Sequence, residues 1–375
     1  MKIAIVTTSY PRSPRDGSGK FVPPVATELV RRGHRVTVLA PHRGPAEPVD
    51  DGVDVRWFPW LGGSRAAVDL RLGRPHGLVL AVSLVVNMRR ALIDLLRVDR
   101  PDVCLAYWAA PAGIVAWTVR RHHGIPYAVW SLGSDVNVLA RHRLTRQVVR
   151  VALRGAGARF ANSFALRERV VELAGQPCAF LPIASAPVEP AVVSLDQTVV
   201  NLLYIGRLEP VKGVDLLLSA LALLRAEGLE PRLHIVGQGS LGPALRQQVL
   251  ASGLTHQVRL LGTLSNEDVA GYLRAADALV IPSRSESLPV VAIEAIRSSR
   301  PIVAAAVGDV PRLVSQYGAG LIVPPEDSTA LAGALRCICE RGAPPPGPNL
   351  AALQARFELT EIASQLETAL ADLAR

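Results

Sequence analysis

The sequence runs through one alternation twice. Short β-branched runs recur at Lys2–Thr8, Arg35–Ala40, Val53–Phe58, Val103–Trp108, Tyr127–Ser131, Ala158–Asn162 and Cys178–Pro182, with amphipathic stretches such as Val22–Arg32 and Leu78–Leu96 between them. A polar, proline-bearing stretch, Ala184–Gln197, breaks the rhythm. The series then restarts at Val199–Ile205, Arg232–Val236, Val258–Leu261, Ala278–Ile281, Pro301–Ala306 and Leu321–Val323. Near-continuous apolar strands alternating with helices predict a parallel sheet covered on both faces. The expected fold is α/β, with two doubly wound domains at residues 1–190 and 191–350. Pro344, Pro345 and Pro346 close the second, and a last helix at about 351–375 remains outside it. Ligands of such units belong at the carboxyl ends of the strands, so the expected site is the crevice where the two units face each other.

Composition removes several classes. Apolar residues make up 49% of the 375 and charged residues 19%, which is too apolar for intrinsic disorder. The four cysteines form no CxxC pair, so a zinc site or a disulfide framework is not expected. The longest uncharged run, Val103–Val119, is too short to span a bilayer and contains Pro111 and Gly113. The chain enters Lys2–Val6 without the features of a signal peptide, so a cytoplasmic protein is expected. Net charge is +9 and unevenly spread: residues 1–190 carry 26 basic and 14 acidic side chains. No stacking platform of aromatics interleaved with those basic residues and no recognised nucleic-acid module is present, so nucleic acid is not an expected partner.

Three segments at strand ends carry candidate chemistry. The first is Gly206–Gly213, where Arg207 and Lys212 flank a helix start that already favours an anion. The chain has only three lysines, Lys2, Lys20 and Lys212, against 38 arginines. A lysine here suggests a compact point charge for a phosphate; a solvated loop with a stray lysine reads as well from this segment alone.

The second is Pro282–Glu294. Ser287 is expected to cap a helix with Pro289 in its first turn, aiming the amides of Leu288, Pro289, Val290 and Val291 (proline lacking the N–H) toward a ligand. Glu294, a turn later, can reach the same space as Glu286. Two carboxylates beside a phosphate make sense as acceptors for hydroxyls, which together describe a nucleotide sugar. The bland reading is a loop Glu and a helix Glu paired to an arginine.

The third is Tyr10–Val22, where Gly17 and Gly19 allow close backbone approach to a phosphate or a sugar and Lys20 adds a charge; glycines at this turn also occur in doubly wound domains for packing alone. A weaker candidate is Asp135, which could bond a sugar hydroxyl or cap the following helix.

At these residues the chain resembles the retaining glycosyltransferases of family 4, with the GT-B fold of two Rossmann-like domains. The resemblance rests on Gly206–Gly213, the Glu286-x7-Glu294 pair, Pro301–Asp309, Gly318–Pro325, and Gly19 with Arg32-Gly33-His34-Arg35-Val36 near the start. It implies that Arg207 and Lys212 hold the donor diphosphate, that Glu294 bonds the ribose, and that Glu286 contacts the transferred sugar. It further implies that backbone at Leu288–Val291 holds phosphate and sugar, that Gly262-Thr263 reads the base, that no metal or other cofactor is needed, and that the C-terminal helix crosses back onto the first unit. The reaction implied is transfer of a sugar from a nucleotide-diphosphate sugar to an acceptor hydroxyl, in polysaccharide, glycolipid or other glycoconjugate biosynthesis. Many relatives carry His-Gly where this chain has Leu132-Gly133, and Glu-Gly-Phe-Gly where it has Glu286-Ser287-Leu288-Pro289. With that histidine absent, Asp135 is the expected substitute on the acceptor side. The rival readings are an epimerase of similar fold and a non-catalytic sugar-nucleotide binding protein.

The basic first half also holds Trp57-Phe58-Pro59-Trp60-Leu61, Arg65, Arg71, Arg74, the apolar run Leu78–Met88, Arg89 and Arg90. Aromatics beside arginines suit a bilayer interface, so a lipid-linked acceptor on an anionic membrane surface, with the protein peripheral on its inner face, is one expectation. A core strand and a buried helix is the other.

Overall fold

The computed structural model describes every residue except 14, 15, 17, 47–50, 65–73, 184–187, 319, 343 and 346, and the side chain of Tyr317. Gly17, Arg65, Arg71 and the start of the interrupting stretch therefore lie outside the described residues. The chain divides into two compact units, Met1–Ala186 with Glu358–Arg375, and Pro187–Phe357.

The first unit runs β1 (Lys2–Val6), α1 (Val22–Arg31), β2 (Arg35–Pro41), β3 (Asp54–Phe58), α2 (Pro75–Val98), β4 (Val103–Tyr107), α3 (Ile114–His123), β5 (Tyr127–Ser131), α4 (Ser134–Asn137), α5 (Arg143–Gly155), β6 (Ala158–Ala161), α6 (Phe164–Ala174) and β7 (Ala179–Phe180). Its seven strands form a parallel sheet in the order β3-β2-β1-β4-β5-β6-β7. Strands β1, β4 and β5 bury almost every side chain, as a sheet covered on both faces requires. One face packs against α2, α3, α5 and α6, through Leu84, Met88, Val115, Val149, Leu153 and Val170 among others. The opposite face packs against α1 and a helix from the far end of the chain.

The second unit runs β8 (Asn201–Ile205), α7 (Val214–Ala226), β9 (Arg232–Val236), α8 (Gly242–Ala251), β10 (Val258–Gly262), α9 (Asn266–Ala275), β11 (Ala278–Ile281), α10 (Val290–Arg297), β12 (Ile302–Ala305), α11 (Val310–Tyr317), β13 (Gly320–Val323), α12 (Ser328–Arg341) and α13 (Leu350–Phe357). Its parallel sheet has the order β10-β9-β8-β11-β12-β13, so direction of travel reverses between β8 and β11. Each of the thirteen runs expected from sequence contains a strand.

The single C-terminal helix expected from sequence is two. Helix α13 packs on α10 and belongs to the second unit. The chain turns extended at Glu358, and α14 (Leu359–Ala374) packs on the first, burying Leu359, Ile362, Leu366 and Leu370. Glu367 of α14 pairs with His34 at 2.8 Å and accepts a hydrogen bond from Arg32 at 3.0 Å, which hold its carboxyl below the usual range. The split follows from the apolar pattern on either side of Glu358: Leu350, Leu353 and Phe357 are buried in the second unit, and Leu359, Ile362, Leu366 and Leu370 enter the core of the first.

Candidate active site

Five loops gather at the carboxyl edge of the second sheet, and backbone contacts knit them together. The loop after β8 lies beside the loop after β9: Leu208 N donates to Gln238 O at 2.9 Å and Leu241 N to Leu208 O at 2.9 Å. It lies equally against the loop after β11, where Arg284 N donates to Val211 O at 2.8 Å. The loop after β12 closes on the same place through Asp309 N to Ser287 O at 2.8 Å. The loop after β10 joins the one after β9 through Gly237 N to Gly262 O at 2.7 Å. Loops on the two sides of a strand-order reversal leave a crevice between them, which is where open parallel sheets bind ligands.

Such crowding explains the glycines. Gly213 has φ 67°, and a Cβ there would lie 2.0 Å from Pro282 O. Gly308 has φ 60°, and a Cβ would lie 2.2 Å from Ser287 O. Neither position accepts a side chain without moving backbone.

Lys212 ends a short turn, Pro210–Lys212, just before Gly213. Its ammonium lies 2.5 Å from Glu286 Oε1, and the Ser283 hydroxyl donates to that same oxygen at 2.8 Å. Glu286 thus has one oxygen held from two sides, while Oε2 has no partner among the described residues. The side chains are partly buried, at 22% and 11% exposure. Arg207 is exposed on the same loop as Lys212, and its carbonyl accepts from the Tyr204 hydroxyl at 2.9 Å. Burial, then the negative charge of Glu286, pushes the Tyr204 phenol well above its ordinary value. The residues expected to meet a diphosphate and a sugar are therefore brought to one edge of one sheet.

The frame behind them includes side chains that sequence reasoning missed. Arg284 forms two parallel bonds to Asp215, 2.9 and 2.8 Å, and a third to Pro210 O at 2.6 Å. These hold the Asp215 carboxyl below its usual range and staple the Lys212 loop to the Glu286 loop. Glu209 accepts from Ser240 Oγ at 2.7 Å and from its amide at 3.1 Å, tying in the loop after β9. Gly237 and Gly239, placed directly after a strand, were a legible signal for that loop; Ser283 and Asp215 carried none.

Helix α10 starts later than expected. Pro289, not Ser287, occupies the cap position, and no side chain caps the helix. Ser287 cannot cap because its carbonyl is already engaged by Asp309 N and Pro289 adopts extended backbone before the first turn. Leu288 and Pro289 are buried, while Val290 and Val291 open the helix with amides that lack intrahelical partners. Ala292 N turns back to Pro289 O at 3.0 Å. Glu294 is half-buried on α10 and already engaged. Thr263 is exposed just beyond β10.

In the first unit, Gly19 is buried with φ 71°, its Cα so close to Ser9 O that a Cβ would lie 2.4 Å away. Lys20 is exposed beside it. Asp135 requires a correction. It is 1% exposed, and its carboxylate accepts from Ala109 N at 2.8 Å and Gly133 N at 3.2 Å. Burial raises its pKa against those hydrogen bonds. A carboxylate spent on two backbone amides beneath the surface is not available to a sugar hydroxyl; it holds the turn after β4 against the turn after β5. The aromatic interface also fails in part: Phe58 and Trp60 are core residues at 3% and 9% exposure, and Trp57 packs edge-on against Tyr10 with ring centroids 6.1 Å apart.

Two tandem α/β units with a charged, glycine-built edge on the second define a two-domain protein of the GT-B fold, and comparison with known proteins shows the family. Residues 16–183 match the family model described as a glycosyl transferase 4-like domain, and residues 200–341 match the model for glycosyl transferases group 1. The chain belongs to the group 1 glycosyltransferases of family 4 and is a glycosyltransferase. It is 29% identical over 364 residues, 89% of this chain and 88% of the other, to TuaC of Bacillus subtilis, provisionally named a teichuronic acid biosynthesis glycosyltransferase. In structure it is similar to a sucrose-phosphate synthase from Thermosynechococcus elongatus, with TM-score 0.78 and 20% identity over 100% of this chain and 99% of that one. It is also similar to HepE of Anabaena in complex with UDP, with TM-score 0.72 and 19% identity over 100% of both chains.

Proposed function

We propose that the enzyme moves a sugar from a nucleotide-diphosphate sugar to an acceptor hydroxyl with retention of configuration at the anomeric carbon. The donor belongs to the second unit. Arg207, Lys212 and the first-turn amides of α10 meet the diphosphate, Glu286 Oε2 accepts from a hydroxyl of the transferred sugar, Glu294 exchanges its present contact for the ribose diol, and backbone at Gly262-Thr263 meets the base. The acceptor belongs to the first unit near Gly19 and Lys20. Neutralising the departing diphosphate is the main electrostatic task as the anomeric carbon gains positive charge, and fixed cations and amides do this without reorganising. Metal independence is part of the proposal.

The observation that carries the reading is the Lys212–Glu286 contact on the two loops flanking the strand-order reversal. That HepE, a protein of similar fold, is named in complex with UDP supports a nucleotide as a ligand. The matches name glycosyltransferases, so neither an epimerase nor a silent binding module is favoured. The test is a panel of UDP-, GDP- and ADP-sugars, read first by thermal shift and then by turnover with candidate acceptors. One donor should stabilise the protein, turnover should survive EDTA, and NMR of the product should show the donor's anomeric configuration. An inverted product would remove the retaining mechanism, and conversion of donor to its epimer without acceptor would replace the function. A lipid-linked acceptor at an anionic membrane surface is the finer part of this reading. Among the described residues no helix is long and apolar enough to cross a membrane, so such contact would be peripheral.

A further inference from the structure

Helices α2 and α5 belong to the layer that covers one face of the first sheet, and α3 packs between them. Each buries one face and leaves an apolar stripe on another. On α2 the buried residues are Leu80, Leu84, Met88, Leu92 and Leu95, while Leu78, Val79, Val82 and Val86 are 40–56% exposed. On α5, Val149, Ala152 and Leu153 are buried, while Leu144, Val148 and Val151 are exposed at 85%, 39% and 37%.

At 3.6 residues per turn, α5 has three sectors. Val149, Ala152 and Leu153 form the inward one; Leu144, Val148 and Val151, spaced i, i+4, i+7, form a second; Arg143, Arg146, Arg150 and Arg154 form the third. Arg146 reaches Glu172 of α6 at 4.0 Å, so the basic sector lies on the α6 side and the apolar stripe on the other flank. Arg143, Arg150 and Arg154 have no carboxylate partner among the described residues. The segment from 75 to 174, which contains the whole layer, has 14 arginines and six acidic residues, and α5 itself has no acidic residue. Unpaired arginines beside an exposed apolar stripe suit a surface that is negative outside and apolar just beneath, and a folded soluble surface rarely leaves such stripes open.

We propose that the outer surface of α2 and α5 lies on an anionic phospholipid bilayer, with Leu144, Val148 and Val151 entering the headgroup boundary and the α5 arginines meeting lipid phosphates. The inference deepens the proposed peripheral placement of the enzyme, and it narrows the contact from the aromatic stretch, whose Phe58 and Trp60 are core, to the helix layer. It can fail while the transferase reading stands, because the donor-binding residues lie in the other unit.

The test is vesicle flotation of the full chain with phosphatidylcholine alone and with added phosphatidylglycerol. The parent protein should float only with the anionic vesicles. An arginine near an anionic surface contributes roughly a fivefold factor, so R143Q/R150Q/R154Q should weaken binding on the order of 100-fold. L144S/V148S/V151S should weaken it too, and since these side chains are exposed, both variants should melt like the parent and keep its thermal shift with a nucleoside diphosphate. A parent that stays at the bottom with anionic vesicles overturns the proposal, as do variants that float like the parent. Concentration-dependent dimerisation lost in the serine variant, with no vesicle binding, overturns it in favour of a second copy. Vesicle binding intact with no sugar transfer from any donor would instead remove the functional reading and leave this one.

Discussion

Replacing Lys212 by Met separates two effects that the structure couples. The ammonium holds Glu286 Oε1, and only the Ser283 hydroxyl remains on that oxygen when it goes. Breaking a fully buried ion pair costs about 3–5 kcal/mol and breaking an exposed one about 0–1 kcal/mol. With side chains 22% and 11% exposed, this pair lies between those limits. A loss of about 2 kcal/mol is expected, which lowers the melting temperature of a unit this size by roughly 4–8 °C. Nucleotide affinity should fall separately. A hydrogen bond to a charged group contributes about 1.5–3 kcal/mol, or roughly 10- to 150-fold in binding. The double variant K212M/E286Q tells the two apart. The amide oxygen still accepts from Ser283 and no charge is stranded, so stability should largely return while nucleotide affinity stays low. The assays are thermal melting and calorimetric titration with a nucleoside diphosphate, which lacks the sugar that Glu286 is proposed to contact. Parent-like affinity in K212M, or recovery of affinity in the double variant, would refute the reasoning.

Other outcomes follow from the same geometry. Gly213→Ala should cost the second unit at least about 2 kcal/mol, because left-handed backbone and a Cβ 2.0 Å from Pro282 O cannot both be accommodated; a urea midpoint equal to the parent's would sink this. Burial works upward on Asp16, but hydrogen bonds from Arg12 and Ser18 outweigh it and draw its carboxyl down to about 2. The depressed folded value means that Asp16 stabilises fully above its unfolded value and loses this as pH falls from about 4 to 2, so Asp16→Asn should flatten that limb in a urea-midpoint pH series. Truncation after Phe357 removes the buried Leu359, Ile362, Leu366 and Leu370, each contributing about 1.5–3 kcal/mol. That sum is comparable to the whole stability of a domain, so the first unit should unfold or aggregate, as limited proteolysis will show.

The two sheets were legible because a parallel strand covered on both faces leaves an apolar run that little else produces. Leu202 and Leu203 in β8 or Val38 and Leu39 in β2 could not be solvent-exposed loops. Lys212 and Glu286 were legible for a different reason, since a rare lysine and a carboxylate pair fall just past strands. The frame behind them was not. Asp215 sits on α7 and Arg284 on a loop 69 residues further along, and nothing local marks them as partners. Asp135 failed in the opposite direction. Its place after a strand suits a ligand or a backbone amide equally, and only burial decides between them. The break at Glu358 escaped because both helices are apolar on one side, and the pattern does not record which core each side enters.

The residue read wrongly, Asp135, and the pair that was missed, Arg284–Asp215, share a cause that bears on the mechanism. Asp135 and the Arg284–Asp215 pair are charged groups that bind other parts of the protein, not a ligand. In each unit they fix two neighbouring loops at the carboxyl ends of the strands. The second unit carries this furthest, since Arg284, Glu209 and the glycines at 213, 237 and 308 fix the backbone before any nucleotide arrives. On the proposed function, an edge so constrained has little freedom left to lose when a diphosphate binds, and Lys212 and the first-turn amides of α10 stand ready for the charge that would develop as the diphosphate departs. It follows that Arg284→Ala, which touches no proposed substrate atom, should depress donor affinity through loop disorder, and that Arg284→Lys should recover less than half of the loss, because an ammonium cannot reproduce the two parallel bonds to Asp215.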